Sequence, residues 1–254
     1  MKALRQRERL ILAGLFLSKF DREGLEHLGF ASFGEAFNAM GYALGGKPTS
    51  IKNYMQEFDP LFPNHRKGWH KRPMRDHCRD AIERFGGLSL DEFSQMLSPL
   101  LLAPRLPDGM EELALLDEEK LDNESFSKRL VTGAAAEGFF ESIFPKLTGF
   151  ANHALTNVTR CGCGFDFRVQ PENAAPFLAV EVKGIADATG EIMMTNKEYR
   201  VADYLQNRYY LCVVSNFAEE PVLSMFQNPA RHGIELVRRE REQSMITWHA
   251  RISA

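Results

Sequence analysis

Two neighbouring segments that set charged residues among apolar ones constrain this chain more than any other feature. In residues 164–169, Phe167 and Val169 alternate with polar neighbours, and residues 177–182 form a nearly continuous apolar run. Such a run is typical of a strand that is buried on both faces of a sheet. The break between the segments holds two prolines and an asparagine, which favour a turn. The sequence therefore predicts two adjacent strands.

Three charged residues lie within these predicted strands. Glu181 and Lys183 are two positions apart, so their side chains point to the same face of one strand, and Asp166 on the preceding strand would lie beside them. Two adjacent carboxylates repel each other, and their ionised forms require a cation. A structural Glu–Lys pair on an edge strand is the alternative interpretation of the same residues.

A hard divalent cation with oxygen ligands, Mg²⁺ first, would meet that requirement. Such an ion polarises a phosphoryl oxygen and produces hydroxide from a bound water. Lys183 would orient or deprotonate that water, or stabilise the charge that develops on a phosphate.

The same residues resemble the motif of the PD-(D/E)XK nuclease superfamily. Asp166 corresponds to the first acid, and Glu181, Val182 and Lys183 correspond to the second half of the motif. Phe165 precedes the first acid, where the motif usually has proline. Residues 190–199 and 209–216 sharpen the likeness to the branch similar to the C-terminal domain of the plant protein NO VEIN. The resemblance covers residues 124–220.

The resemblance implies a metal-dependent DNA endonuclease of the restriction or phage-defence type. Mg²⁺ would be the cofactor, with Mn²⁺ as a substitute, held by Asp166, Glu181 and the carbonyl of Val182. Lys183 would act on the attacking water. Glu137, on the first helix of the nuclease fold, would be a third carboxylate. A surface glutamate is the alternative interpretation. Cleavage of both strands of double-stranded DNA by single active centres would favour a homodimer.

Helical periodicity dominates the first hundred residues, and strands dominate the last hundred. We therefore expect a mixed α/β protein in three parts. Residues 1–103 would be a helical, helix-turn-helix-like DNA-binding domain, and residues 104–124 an acidic linker. Residues 125–254 would be a restriction-endonuclease-like sandwich with a mixed sheet, including strands near residues 155–161, 234–237 and 244–250, whereas two prolines are expected to break residues 219–229.

A capping box and a glycine turn predict the helix-turn-helix pattern. Ser32 with Glu35 begins one helix, Gly45 and Gly46 end it, and Pro48 begins the next. A plain pair of antiparallel helices is the alternative. In the helix-turn-helix interpretation the second helix directs five polar side chains to the major groove: Thr49, Ser50, Lys52, Asn53 and Gln56.

A basic loop follows that helix and is suited to phosphate contacts. The alternative is a solvated loop whose tryptophan is tucked into the core. The block also resembles, less specifically, the helical module that precedes nuclease domains in some bacterial restriction-type proteins. The candidate DNA contacts in this loop are Arg66, Lys67, Trp69, His70, Lys71 and Arg72.

Composition limits the remaining possibilities. The net charge is −3, so a global basic footprint for nucleic acid is absent and any footprint must be local. The sequence has no run of about 18 apolar residues, so no membrane span is expected. Four scattered cysteines favour a reducing, cytoplasmic location. Two other functions stay open: a DNA-binding regulator with an inactive nuclease-like domain, and a nuclease specific for RNA or for nucleic-acid structure.

Overall fold

The chain combines a helical N-terminal region with a five-stranded mixed sheet. The computed structural model describes residues 4–68, 72–102, 124–172, 176–240 and 250. The N-terminal helices are α1 (Gln6–His27), α2 (Phe33–Ala43), α3 (Pro48–Phe58), α4 (Asp76–Phe85) and α5 (Leu90–Leu102). Helix α6 (Glu124–Ile143) precedes the sheet. The strands are β1 (His153–Asn157), β2 (Phe167–Pro171), β3 (Leu178–Gly184), β4 (Tyr209–Ser215) and β5 (Val222–Gln227), with α7 (Asn196–Leu205) between β3 and β4.

Local signals in the sequence set the starts of the helices. Ser32 caps α2, and its hydroxyl accepts a hydrogen bond from the Glu35 amide. Pro48 is the first residue of α3, where its missing N–H costs nothing. Helix α1 breaks at Asp21, which has φ 50° and ψ −126°. Both helices of the predicted helix–turn–helix pair are therefore present.

Strand order in the sheet is β1-β2-β3-β4-β5. The β3–β4 pair is parallel and the other three pairs are antiparallel. Because a parallel pair needs a crossover connection, the chain passes through α7 between these two strands. This arrangement makes β3, which carries Glu181 and Lys183, the central strand, as the apolar run predicts.

The edge of the sheet differs from the prediction. Residues 222–227 form β5, although the two prolines of this region led to the expectation of a broken segment. Pro221 and Pro229 lie just outside β5 and bracket it, so neither removes a donor from the ladder. Residues 234–237, expected as a strand, have no regular structure, and residues 244–249 lie outside the described residues.

The helical region and the sheet share one continuous apolar core. Helix α2 contacts α3 on one side and α6 on the other. Asn38 on α2 donates hydrogen bonds to the carbonyl oxygens of Phe217 and Glu219, both at 2.8 Å. Apart from Glu124, where α6 begins, the predicted linker lies outside the described residues. No helix in the described ranges is long and apolar enough to cross a membrane.

Candidate active site

Strand alternation places Glu181 and Lys183 on one face of β3. Val180 and Val182 point to the opposite face and join the core against α6. Ala179, on the same face as Glu181, packs against Ala202 of α7. The candidate site therefore lies on the α7 side of the sheet, although Glu181 itself is only 4% exposed.

Asp166 lies where β2 begins its pairing with β3. The pair of strand residues nearest to Asp166 is Phe167 of β2 and Val180 of β3. One residue before Phe167, the Asp166 amide donates a hydrogen bond to the Val180 carbonyl at 3.0 Å. The Val182 amide then donates to Asp166 Oδ2 at 2.9 Å. A side chain thus continues the hydrogen-bond ladder of β3, and it brings the Asp166 carboxylate beside Glu181.

The Lys183 ammonium lies between two carboxylates. It donates to Glu181 Oε1 at 2.5 Å and to Glu198 Oε2 at 2.8 Å. Glu198 is the third residue of α7 and belongs to a capping box with Thr195. The sequence reveals this capping box, but the contact with Lys183 depends on how α7 docks against the sheet, and sequence reasoning missed it.

The electrostatics of the site favour an additional positive charge. Burial, reinforced by the negative charge of Asp166, raises the pKa of Glu181 to about 8, and Lys183 offsets only part of this shift. Burial alone would lower the pKa of Lys183, but Glu181 and Glu198 outweigh it and raise the pKa. The buried pair of carboxylates therefore has more negative charge than one lysine neutralises at alkaline pH.

The donor set fits a hard divalent cation of the Mg²⁺ type. The backbone N–H and C=O of one strand residue point to the same edge, so the Val182 carbonyl points to the edge at which its amide meets Asp166. Two carboxylates and this carbonyl are all oxygen donors, and Mg²⁺ usually retains several waters. Within the described ranges, no three His, Cys, Asp or Glu side chains form a metal-binding group.

Glu137 is buried on α6, at the opposite face of β3 from Glu181. The carbonyl of Thr132, also on α6, approaches Gly184 so closely that an added Cβ would lie 2.7 Å from it. On the side of Phe167 towards Asp166, the strand pairing of β2 with β3 ends. Glu137 would have to reach the carboxylates around this edge, and its role as a third carboxylate stays a prediction.

The five residues assigned to the major groove lie on the outer side of α3. Thr49, Lys52 and Asn53 are exposed, and Ser50 and Gln56 are half-buried. Helix α2, however, is enclosed between α3 and α6, and only Gly34 at its start is exposed. In a docked helix-turn-helix the first helix crosses the DNA backbone. Here α3 would have to meet DNA without α2, and its DNA contacts stay a prediction.

Two arginines of the predicted DNA-binding loop make ion pairs within the protein. Arg66 donates to Asp59 Oδ1 through Nε at 3.1 Å and Nη2 at 3.0 Å, and it also pairs with Asp21. Arg72 pairs with Glu57 at 3.2 Å and is 41% exposed. Lys67 is exposed. Residues 69–71, which include the predicted contacts Trp69, His70 and Lys71, lie outside the described ranges.

Comparison with known families gives one match. The family described as Protein NO VEIN, C-terminal matches residues 138–226, which is less than half of the chain. The matched region runs from the second half of α6 to the end of β5. It includes Asp166, Glu181, Lys183 and Glu198, whereas Glu137 lies one residue before it. No curated protein and no solved structure matches the chain significantly.

Proposed function

We propose that this protein is a Mg²⁺-dependent DNA endonuclease of the restriction or phage-defence type, and a member of the PD-(D/E)XK superfamily. The observation that carries the proposal is the burial of Asp166 and Glu181 beside Lys183. Burying two carboxylates is costly unless a cation neutralises them. Lys183 neutralises only one of the two carboxylate charges, which supports a metal ion as the second cation.

Asp166, Glu181 and the Val182 carbonyl would hold Mg²⁺, and Mn²⁺ would substitute for it. The bound ion would supply Lewis-acid activation of a phosphate oxygen and of a water. Contacts within the protein fix both carboxylates, Asp166 through the Val182 amide and Glu181 through Lys183. Such preorganisation lowers the cost of reaching the reactive geometry.

Lys183 has two roles open to it in hydrolysis of a phosphodiester bond. Its ammonium would stabilise negative charge on the phosphate, or it would orient the attacking water. The two neighbouring carboxylates raise its pKa, which favours a charged lysine and argues against deprotonation of the water by Lys183. Glu137 would complete the site if it reaches around the edge of β3.

The DNA substrate rests on the superfamily resemblance and on the exposed polar face of α3. Thr49, Lys52 and Asn53 are accessible to a duplex. Because a single active centre cuts one strand, double-strand cleavage would require a homodimer or two successive events. We place the protein in the cytoplasm, where restriction acts on incoming DNA.

Digestion of plasmid and phage DNA, both modified and unmodified, tests this function. The reactions contain Mg²⁺, Mn²⁺ or EDTA, and the Lys183→Ala variant is run in parallel. We expect discrete fragments with either metal ion, no fragments with EDTA, and loss of at least about 100-fold in rate for the variant.

Three results would contradict the proposal in different ways. Equal cleavage by wild type and Lys183→Ala would show that the candidate site does not catalyse the reaction. DNA that is retarded in gels but stays intact would indicate the binding-only regulator. Cleavage of RNA but not of DNA would move the activity to the RNA alternative.

A further inference from the structure

Glu198 holds the lysine of the site from the side opposite Glu181. Its Oε2 accepts hydrogen bonds from the Lys183 ammonium at 2.8 Å and from the Thr195 amide at 2.9 Å. Its side chain is 15% exposed and that of Lys183 is 20% exposed, so solvent reaches the pair only in part. The site therefore contains a third carboxylate within the described residues, on α7.

A metal ion at the proposed site would compete with Lys183 for the Glu181 carboxylate. Its ammonium bonds to Glu181 Oε1 at 2.5 Å, and Glu181 is also a proposed metal ligand. A cation at Glu181 repels the ammonium and competes for the same oxygens. A lysine with no other partner would then leave the site or lose its orientation.

We propose that Glu198 is a positioning residue that keeps Lys183 in place while Glu181 serves the metal ion. The inference rests on the proposed nuclease function. Glu198 is suited to this role because the backbone amide of Thr195 donates a hydrogen bond to its carboxylate at 2.9 Å. The other half of the capping box, from the Glu198 amide to Thr195 Oγ1 at 3.2 Å, does not involve the carboxylate. The start of α7 thus supplies a stationary anchor for the lysine.

A purely structural role is the alternative, since a capping-box glutamate stabilises its helix whatever else it touches. The two roles separate because the chain offers a matched control. Thr195→Ala breaks the other half of the capping box and leaves the Glu198 carboxylate. Glu198→Gln keeps an oxygen acceptor for both partners but removes the charge, and Glu198→Ala removes both the acceptor and the charge.

The experiment is a double-mutant cycle on single-turnover nicking of supercoiled plasmid, with enzyme in excess and Mg²⁺ saturating. We expect Glu198→Ala to slow nicking about 10- to 100-fold in the wild-type background, as for loss of a charge-assisted hydrogen bond. In the Lys183→Ala background the same change should slow the residual nicking less than about threefold, because a residue that acts through Lys183 has no further effect. Glu198→Gln should recover part of the rate, and Thr195→Ala should stay within about threefold of wild type.

A second readout does not depend on cleavage. In protein labelled with ¹⁵N-lysine and saturated with Mg²⁺, which occupies Glu181, the Lys183 ammonium should give a protected side-chain NMR signal in wild type and Thr195→Ala, which Glu198→Ala abolishes. This signal decides the inference even if wild type cuts no nucleic acid, an outcome that would reject the nuclease function alone. Equal slowing of nicking in both backgrounds, or an unchanged Lys183 signal in Glu198→Ala, would overturn the positioning role.

Discussion

The Asp166 carboxylate accepts a hydrogen bond from the Val182 amide at 2.9 Å. The carboxylate takes the place of a backbone acceptor on β2, because the pairing of β2 with β3 ends at Phe167 and Val180. One side chain therefore closes the ladder and stands beside Glu181, so the geometry that ends the strand pairing also builds the site. A buried amide without this acceptor would destabilise the centre of the sheet.

Two changes of Asp166 should separate its structural and chemical roles. Asp166→Asn retains an oxygen that accepts from the Val182 amide, so we expect nearly wild-type stability but loss of Mg²⁺ binding and cleavage. Asp166→Ala leaves a buried amide unpaired, which should lower the free energy of unfolding by about 1–3 kcal/mol as well. Urea denaturation and Mg²⁺ titration by calorimetry measure the two effects. Wild-type Mg²⁺ affinity in Asp166→Asn would remove this residue from the ligand set.

Local patterns were sufficient to predict much of the fold. The period-2 alternation around Glu181 and Lys183 places both on one face, and β3 has this arrangement. Ser32 caps the start of α2 as expected, although the Glu35 carboxylate accepts from the Ala31 amide and not from Ser32, so the predicted capping box is only half formed. These signals are legible in a single sequence because each depends on residues no more than four positions apart.

Features that depend on docking were not predicted. Lys183 meets Glu198 only because α7 packs against β3 and β4 (15 residues separate the two in sequence). Arg66 lies in a basic loop, yet it pairs with Asp21, which is 45 residues away. Sequence reasoning assigned Arg66 to a phosphate because its neighbours in the chain are basic, whereas its neighbours in space are acidic.

The ion pairs of Arg66 lead to a contrast with Lys52. Asp59 has no exposed side-chain surface, so Arg66→Ala leaves a buried carboxylate without its cation and should cost about 3 kcal/mol of stability. Lys52 is exposed on α3, and Lys52→Ala should leave stability unchanged. If Lys52 contacts phosphate, that variant should bind DNA more weakly and reduce the slope of log K against log salt by about one.

Thermal denaturation and fluorescence anisotropy at several salt concentrations check both halves of this contrast. Unchanged stability in Arg66→Ala would mean that the Asp59 and Asp21 pairs contribute little. An unchanged salt slope in Lys52→Ala would remove this residue of α3 from the DNA contacts.

Glu57 should make the helical region sensitive to acid. Burial would raise the pKa of Glu57, but hydrogen bonds from Arg75 and Arg72 outweigh it and lower the pKa to about 2. Because the folded-state pKa lies below the ordinary value of 4.5, the stabilising contribution is complete above pH 4.5 and disappears as the pH falls towards 2.

Glu57→Gln tests this pH dependence. The variant should be less stable than wild type at pH 7, by about 1–3 kcal/mol, and the difference should close between pH 4.5 and 2. Asp76→Asn is the matched control, since Asp76 pairs with Arg79 at an exposed site and such pairs contribute little to stability. A stability difference for Glu57→Gln that is constant from pH 7 to 2 would show that the charge of Glu57 is not its source.

The contact between Gly138 and Tyr42 should couple the helical region to the sheet. A Cβ added at Gly138 of α6 would lie 2.1 Å from the carbonyl oxygen of Tyr42 on α2, so Gly138→Ala must push the two helices apart. The ring of Tyr42 also meets Phe139 edge to face at 5.1 Å, and this contact would be disturbed. We expect a loss of about 1–3 kcal/mol from overpacking.

Because the two regions share one core, this loss should appear in the melting of both. Calorimetry of wild type should give a single transition, and Gly138→Ala should lower its midpoint without splitting it. Gly149→Ala is the control, since an added Cβ there meets no atom within 4 Å. Two separate transitions in wild type would instead show that the helical region and the sheet unfold independently. In that case DNA held by α3 would not be fixed in position relative to Asp166 and Glu181, and the distance from a recognition site to the cut would vary.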